Sequence, residues 1–201
     1  EGDDPSDIRP VVYYPAGSDQ PVPVVGGQAL YHRHCLHCHG VSGDGRGPTA
    51  AFLYPRPRDY RRGLYKFTST EYGDKPTRDD LRRVLRHGID GTSMPAFQAQ
   101  MTEAEIEQVI DYVLFLSMRG EVERMVIEEA SYYEEADFED PETVDSFREE
   151  VQEIAEFEIF ARWTSALEGE NLVRPLSPRV PPTVESINRG RELFLGVSRD
   201  V

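Results

Sequence analysis

The chain has 201 residues, 38% hydrophobic and 29% charged, and its 37 acidic against 22 basic residues give a formal charge of -15. That is apolar material for one modest core with an extension, or for two small domains, and so negative a chain repels nucleic acid and anionic lipid as default partners. Two cysteines exclude a disulfide-rich scaffold, and the best apolar run, Val109–Met118, is broken by Asp111 and is far short of a membrane span.

The charge is uneven. Residues 24–119 hold 13 basic and 11 acidic residues, whereas residues 120–170 hold 3 and 18. Composition therefore divides the chain into an extended N-terminal strap (1–23), a nearly neutral domain (24–119), an acidic helical extension (120–172) and a Pro-rich linker (173–201). The strap carries Pro5, Pro10, Pro15, Pro21 and Pro23 and lacks the basic and apolar regions of a secretion signal. An exported protein would have lost that signal before residue 1.

Four helices are expected, and no strand pattern. The first spans about Val25 to Cys35. Gly40–Pro76, rich in Gly and Pro, reads as loop. Thr77, with Asp80 three residues on, opens a second helix with Leu81, Val84 and Leu85 on one face, and Gly88 stops it at His87. Thr102 and Glu105 form the capping box of a third, whose stripe is Ile106, Val109, Ile110, Val113 and Leu114. It ends near Gly120 or continues through Glu121–Tyr133. Asp140 and Pro141 open the fourth, with Val144, Phe147, Val151, Ile154, Phe157, Phe160, Trp163 and Leu167 as an apolar stripe. Such a stripe needs a partner: the rest of this chain, a homodimer through the 140–168 helix, or a second domain. The fold class is all-α with long loops.

Both cysteines lie in Cys35-Leu36-His37-Cys38-His39, a C-x-x-C-H motif. Thiols one helical turn apart on one face can form two thioether bonds to haem vinyl groups, with His39 reaching the iron as proximal ligand. The competing readings are a redox dithiol, which wants a strand before its helix, and a zinc site, for which no second ligand pair follows. Haem iron in a pure electron carrier wants a sixth ligand. Met94, in Gly91-Thr92-Ser93-Met94-Pro95, is the candidate, with His87 its rival and core packing the alternative role. Met101, Met118 and Met125 read as packing, and His32, His34 and His37 as surface or supporting groups.

Over residues 25–119 the chain resembles the class I c-type cytochromes. The resemblance rests on Cys35-x-x-Cys38-His39-Gly40, on Gly43-Asp44-Gly45-Arg46-Gly47-Pro48, on Met94-Pro95, and on Gly27 and Tyr31 set against Val109 and Tyr112. The block Pro55-Arg56-Pro57-Arg58-Asp59-Tyr60 followed by Tyr65-Lys66-Phe67 is similar to a bacterial periplasmic subgroup. The resemblance implies one covalent haem c with His39 and Met94 as iron ligands, a cytochrome c-like fold, and a close crossing of the first and last helices. It also implies a periplasmic or other extracytoplasmic address and redox protein partners. It further implies that the Pro48 carbonyl accepts a hydrogen bond from Nδ1–H of His39. Arg58, Arg61, Tyr65 and Lys66 are candidates to neutralise the haem propionates, or else form a solvated basic loop.

With both axial positions filled, the expected role is electron transfer rather than enzymatic catalysis. The alternative is a haem enzyme or gas sensor with a labile Met94. Gly190-Arg191-Glu192-Leu193-Phe194 echoes Gly27-Gln28-Ala29-Leu30-Tyr31, so the linker either begins a second haem domain or is a short amphipathic tail.

Overall fold

A computed structural model describes residues 12–13, 22–23 and 25–196. Within the strap, β1 (Val12–Tyr13) pairs antiparallel with β2 (Val22–Pro23), Val12 opposite Pro23. These two-residue strands were not legible as a pattern and are too short to change the all-α class. Helix begins directly afterwards, with α1 (Val25–His34) and the single-turn α2 (Leu36–His39). A loop region containing two short 3-10 turns leads to α3 (Arg78–His87) and then α4 (Glu103–Ala130).

Both expected capping boxes form. Thr77 Oγ1 accepts from the Asp80 backbone N–H while the Asp80 carboxylate accepts from that of Thr77, and Thr102 and Glu105 repeat the arrangement. Helix α4 takes the longer of its two expected courses. Its 28 residues span about 42 Å, so the charge break at residue 120 falls inside one unbroken helix.

Helix α1 crosses α4 at Gly27. A Cβ there would stand 2.0 Å from the Gln108 carbonyl oxygen and 3.1 Å from Tyr112 Cβ, so only glycine lets the backbones meet. One turn on, fully buried Tyr31 packs its ring 5.2 Å from that of Tyr112 and donates from its hydroxyl to the Gly40 carbonyl at 2.8 Å. Ile106, Val109, Ile110 and Leu114 of α4 complete the core under this crossing.

The acidic extension folds back on this domain. After a turn, α5 (Pro141–Ile154) runs largely exposed, a π-helical stretch covers Ala155–Phe160, and α6 (Ala161–Glu168) follows. The wider π turn shifts the phase of the expected stripe. Phe157 and Phe160 turn outward, 71% and 40% exposed, while Ile159 and Trp163 enter the core. Trp163 is fully buried and its Nε1–H donates to Glu121 Oε1 at 2.8 Å. Glu121 also pairs with Lys75, whose side chain is 2% exposed and whose Nζ lies 5.2 Å from the Trp163 ring centroid. Further along, the Val173 N–H donates to the Ser69 carbonyl at 2.9 Å and the Glu71 N–H to that of Asn171 at 3.1 Å.

Beyond this clasp the Pro-rich linker is exposed, and α7 (Val184–Phe194) leaves Val184, Ile187 and Phe194 in solvent. Among the described residues no helix is long and apolar enough to cross a membrane.

Replacing Gly27 with Val forces α1 off α4 and lowers unfolding free energy by about 1–3 kcal/mol, read from the denaturant midpoint. Lys75→Met removes the cation from a buried pair and costs about 3–5 kcal/mol. The double variant Lys75→Met/Glu121→Gln is less destabilised than that single one by the same assay, because no buried carboxylate is left without its counter-ion.

Candidate functional site

The Cys35–His39 turn is a helical one. The Cys38 N–H lies 3.1 Å from the Cys35 carbonyl and that of His39 2.8 Å from it. The following glycine loop wraps the turn. Gly45, Gly47 and Thr49 donate their N–H groups to the carbonyls of His39, Cys38 and His37 at 2.9, 3.1 and 2.9 Å, which satisfies acceptors that a helix end otherwise leaves bare. A Cβ on Gly47 would stand 2.4 Å from the Leu36 and His37 carbonyl oxygens, so the loop can lie this close only with glycine there.

Cys35, Cys38 and His39 all line one cavity of about 520 Å³. The two thiols are not joined to each other. Burial, with the Cys38 thiol beside it, pushes the Cys35 thiol up to about 12. A thiol held protonated is a poor redox nucleophile. Nor do three His, Cys, Asp or Glu side chains converge on a metal-sized site among the described residues. The geometry thus does not favour the zinc alternative.

His39 is buried, and burial holds its imidazole below the ordinary histidine value, against a weaker opposing effect of its backbone hydrogen bond. That bond corrects an expectation. Nδ1 lies 3.2 Å from the carbonyl oxygen of Arg58, while Pro48 is exposed and does not line the cavity. Gly45 lets residues 57–58 lie close over the motif: a Cβ at this glycine would sit 2.6 Å from the Pro57 carbonyl oxygen, and the next carbonyl, that of Arg58, reaches the ring. With Nδ1 engaged, Nε2 is the nitrogen left for a metal.

Met94 lines the same cavity from the loop between α3 and α4. That loop is tied shut. The Ile89 N–H donates to the Met94 carbonyl at 3.1 Å, the Met94 N–H to Thr92 Oγ1 at 3.1 Å, and the Phe97 N–H to the Leu85 carbonyl at 2.8 Å. Leu81, Val84, Leu85, Ile110 and Val113 add apolar wall from α3 and α4. The rival ligand His87 is exposed and stands outside the lining, as does His32, whereas His34 and His37 contribute to it. Met101 is buried in the core, with Met118 and Met125 packed against it.

Of the expected basic and hydroxyl groups, Arg58, Tyr65 and Lys66 line the cavity and Arg61 does not. Arg61 is held instead by a two-pronged bond to Asp59, at 3.0 and 2.9 Å. Two residues of the cavity wall escaped sequence reasoning. Tyr60 stacks on His39 with ring centroids 4.6 Å apart and planes 16° from parallel. Asp80, seen in the sequence only as a capping residue, also lines the cavity and accepts from the Ser69 N–H and hydroxyl, each at 2.9 Å. No spacing signal marks either contact.

Burial alone would raise the Asp80 carboxyl, but donors from Ser69 and Thr77 hold it below the usual carboxylate range. Its stabilising effect is therefore present above the unfolded value near about 3.9 and is lost as pH falls through the lower folded value. Asp80→Ala is expected to cost about 2–3 kcal/mol at neutral pH. The gap to the parent protein narrows in denaturant titrations repeated toward about pH 3.

The family described as cytochrome C oxidase, cbb3-type, subunit III matches residues 23–113. No curated protein matches the chain. Among solved structures, a chain of the Kuenenia stuttgartiensis reducing HAO-like protein complex Kustc0457/Kustc0458 is similar in fold, with a TM-score of 0.53 and 21% identity over 85% of the present chain. The present chain spans 56% of the length of that one.

Proposed function

We propose that the chain, whose residues 23–113 match the family described as cytochrome C oxidase, cbb3-type, subunit III, is an electron-transfer module holding one covalent haem c, with His39 and Met94 as axial ligands. One observation carries the reading. Two separate thiols, a buried neutral imidazole with one free nitrogen, and a methionine from a distant loop all line a single apolar-walled cavity.

When bound, haem c supplies reversible one-electron Fe(III)/Fe(II) chemistry. Cys35 and Cys38 would hold it through thioether bonds. His39, oriented by the Arg58 carbonyl and by the face of Tyr60, would present Nε2 to the iron. Met94, fixed by the closed 88–97 loop, would fill the remaining axial position and leave no coordination site for a substrate. Arg58 and Lys66, which line the cavity, would meet propionates, whereas Arg61 is committed to Asp59 and the Tyr65 hydroxyl to Ser117 Oγ.

The acidic surface of α5 supports docking to a basic redox partner, and resemblance to a chain from a protein complex is in keeping with that. Cytochrome domains of this kind support an extracytoplasmic address. In α7, Gly190 has open space around it and Leu193 and Phe194 are exposed, as expected of either a short amphipathic tail or the first helix of a second haem domain. A homodimer is not required to bury Trp163, since the extension's own fold-back does so.

Natively matured protein is expected to give a low-spin c-type spectrum when reduced and a near-infrared sulfur-to-iron band when oxidised. Met94→Ala removes that band and opens the iron to carbon monoxide, which the parent protein binds far more weakly. A high-spin parent spectrum, or protein mass without porphyrin, overturns the reading.

A further inference from the structure

A row of rings runs from His39 out of the matched family domain. Tyr60 lies nearly parallel to His39, and Tyr65 lies parallel to Tyr60 with centroids 6.0 Å apart and planes at 11°. Trp163 meets Tyr65 edge-on, at 6.3 Å and 85°. Edge-on and offset-parallel contacts are the arrangements that aromatic quadrupoles favour. Tyr65 has one polar anchor, its hydroxyl standing 2.7 Å from Ser117 Oγ on α4. Trp163 is held more firmly, by full burial, by its bond to Glu121 and by Lys75 over its ring. The row therefore ends on a side chain whose position belongs to the extension.

We propose that Trp163 is a positioning residue for His39: through Tyr65 and Tyr60, the seated extension fixes the plane of the imidazole, keeps water from the tyrosine pair, and so sets the potential of the bound haem. This rests on the haem reading above. Close-packed rings transmit displacement because they have no slack to absorb it. Removing the indole leaves space beside a hydroxyl pair, Tyr65 with Ser117, and beside the carboxylate of Glu121. A space with such polar walls takes up water. Water near the site favours the more highly charged ferric state, and solvent access is one of the means by which a protein sets haem potential. Trp163 thus gives residues outside the family domain an influence on the iron. A partner that unseats the extension alters the driving force for electron transfer without touching the cavity.

The test uses the full, haem-loaded chain. In Trp163→Ala the ratio of ferric to ferrous protein at a fixed poise is expected to rise about threefold, a fall of about 28 mV for a one-electron couple. The g-anisotropy of the ferric electron paramagnetic resonance signal, which follows the imidazole plane, should change with it. Trp163→Phe keeps a ring edge against Tyr65 and restores most of both readouts. Phe147→Ala loosens the extension elsewhere, in the outer knot with Tyr133 and Phe138, and leaves both unchanged.

Should Trp163→Ala not accumulate, Trp163→Leu, which fills volume without a ring, carries the same expectation. Parental potential and anisotropy in the ring-less variant, beside a low-spin His/Met parent, overturn this inference and leave the haem reading intact. An equal shift in Phe147→Ala overturns it also, since a loosened extension rather than the ring contact would then be responsible. Trp163 is the chain's one tryptophan, so a water-exposed emission maximum in the parent shows that the extension is not seated and overturns it as well. A parent without low-spin haem defeats both readings together.

Discussion

The backbone contact between Gly27 and Gln108 sets the frame for everything around the cavity. It fixes the distance between α1 and α4, and α1 delivers the Cys35–His39 turn while α4 supplies Ile110 and Val113 to the wall. Tyr31 secures the same geometry one turn later: its ring lies on Tyr112 and its hydroxyl reaches the carbonyl of Gly40, the residue directly after His39. A sub-ångström requirement at a glycine is thereby passed along one short helix to the thiols and the imidazole.

A second set of contacts joins the extension to this frame, and it is of a different kind. Lys75 and Glu121 would each be expensive to bury alone. Together, with the Trp163 indole N–H on one carboxylate oxygen and the ring under the ammonium, they form a satisfied polar centre between α4 and α6. Such a centre adds little net stability over apolar packing, but it accepts only one seating of the helices that meet there. The result is an acidic outer face on α5 and a dry inner face that reaches the aromatic row beside His39.

Features whose cause lies within a few residues were legible in the sequence. The capping boxes at Thr77 and Thr102 and the grouping of Cys35, Cys38 and His39 on one turn follow from local spacing, whereas the glycine crossing at Gly27 was legible only through the family resemblance. Met94 was legible as a cavity residue only because the motif upstream gave a methionine on a Pro-stiffened loop something to face. Features set by the path of a loop through space were not. Pro48 and Arg58 both carry carbonyls near the motif, and only the folded course of residues 40–60 decides which one reaches Nδ1 of His39. The stripe of the extension failed at Phe157 and Phe160 for another reason: one π turn changes the periodicity on which the expectation was built. The ring contacts of Tyr60 with His39 and of Trp163 with Tyr65 left no signal, since stacking between segments as much as a hundred residues apart has no spacing rule.

Helix α4 limits what can count as a separable part of this chain. Composition changes abruptly at residue 120, yet the backbone passes that point in mid-helix, and the residue immediately after the change, Glu121, is the counter-ion of Lys75. A fragment cut where the composition changes would lose the counter-ion of Lys75 together with Trp163, the ring packed against its ammonium group. The block marked out by charge and the block held together by these contacts are therefore different objects, and the second includes a good part of what looks like an appendage.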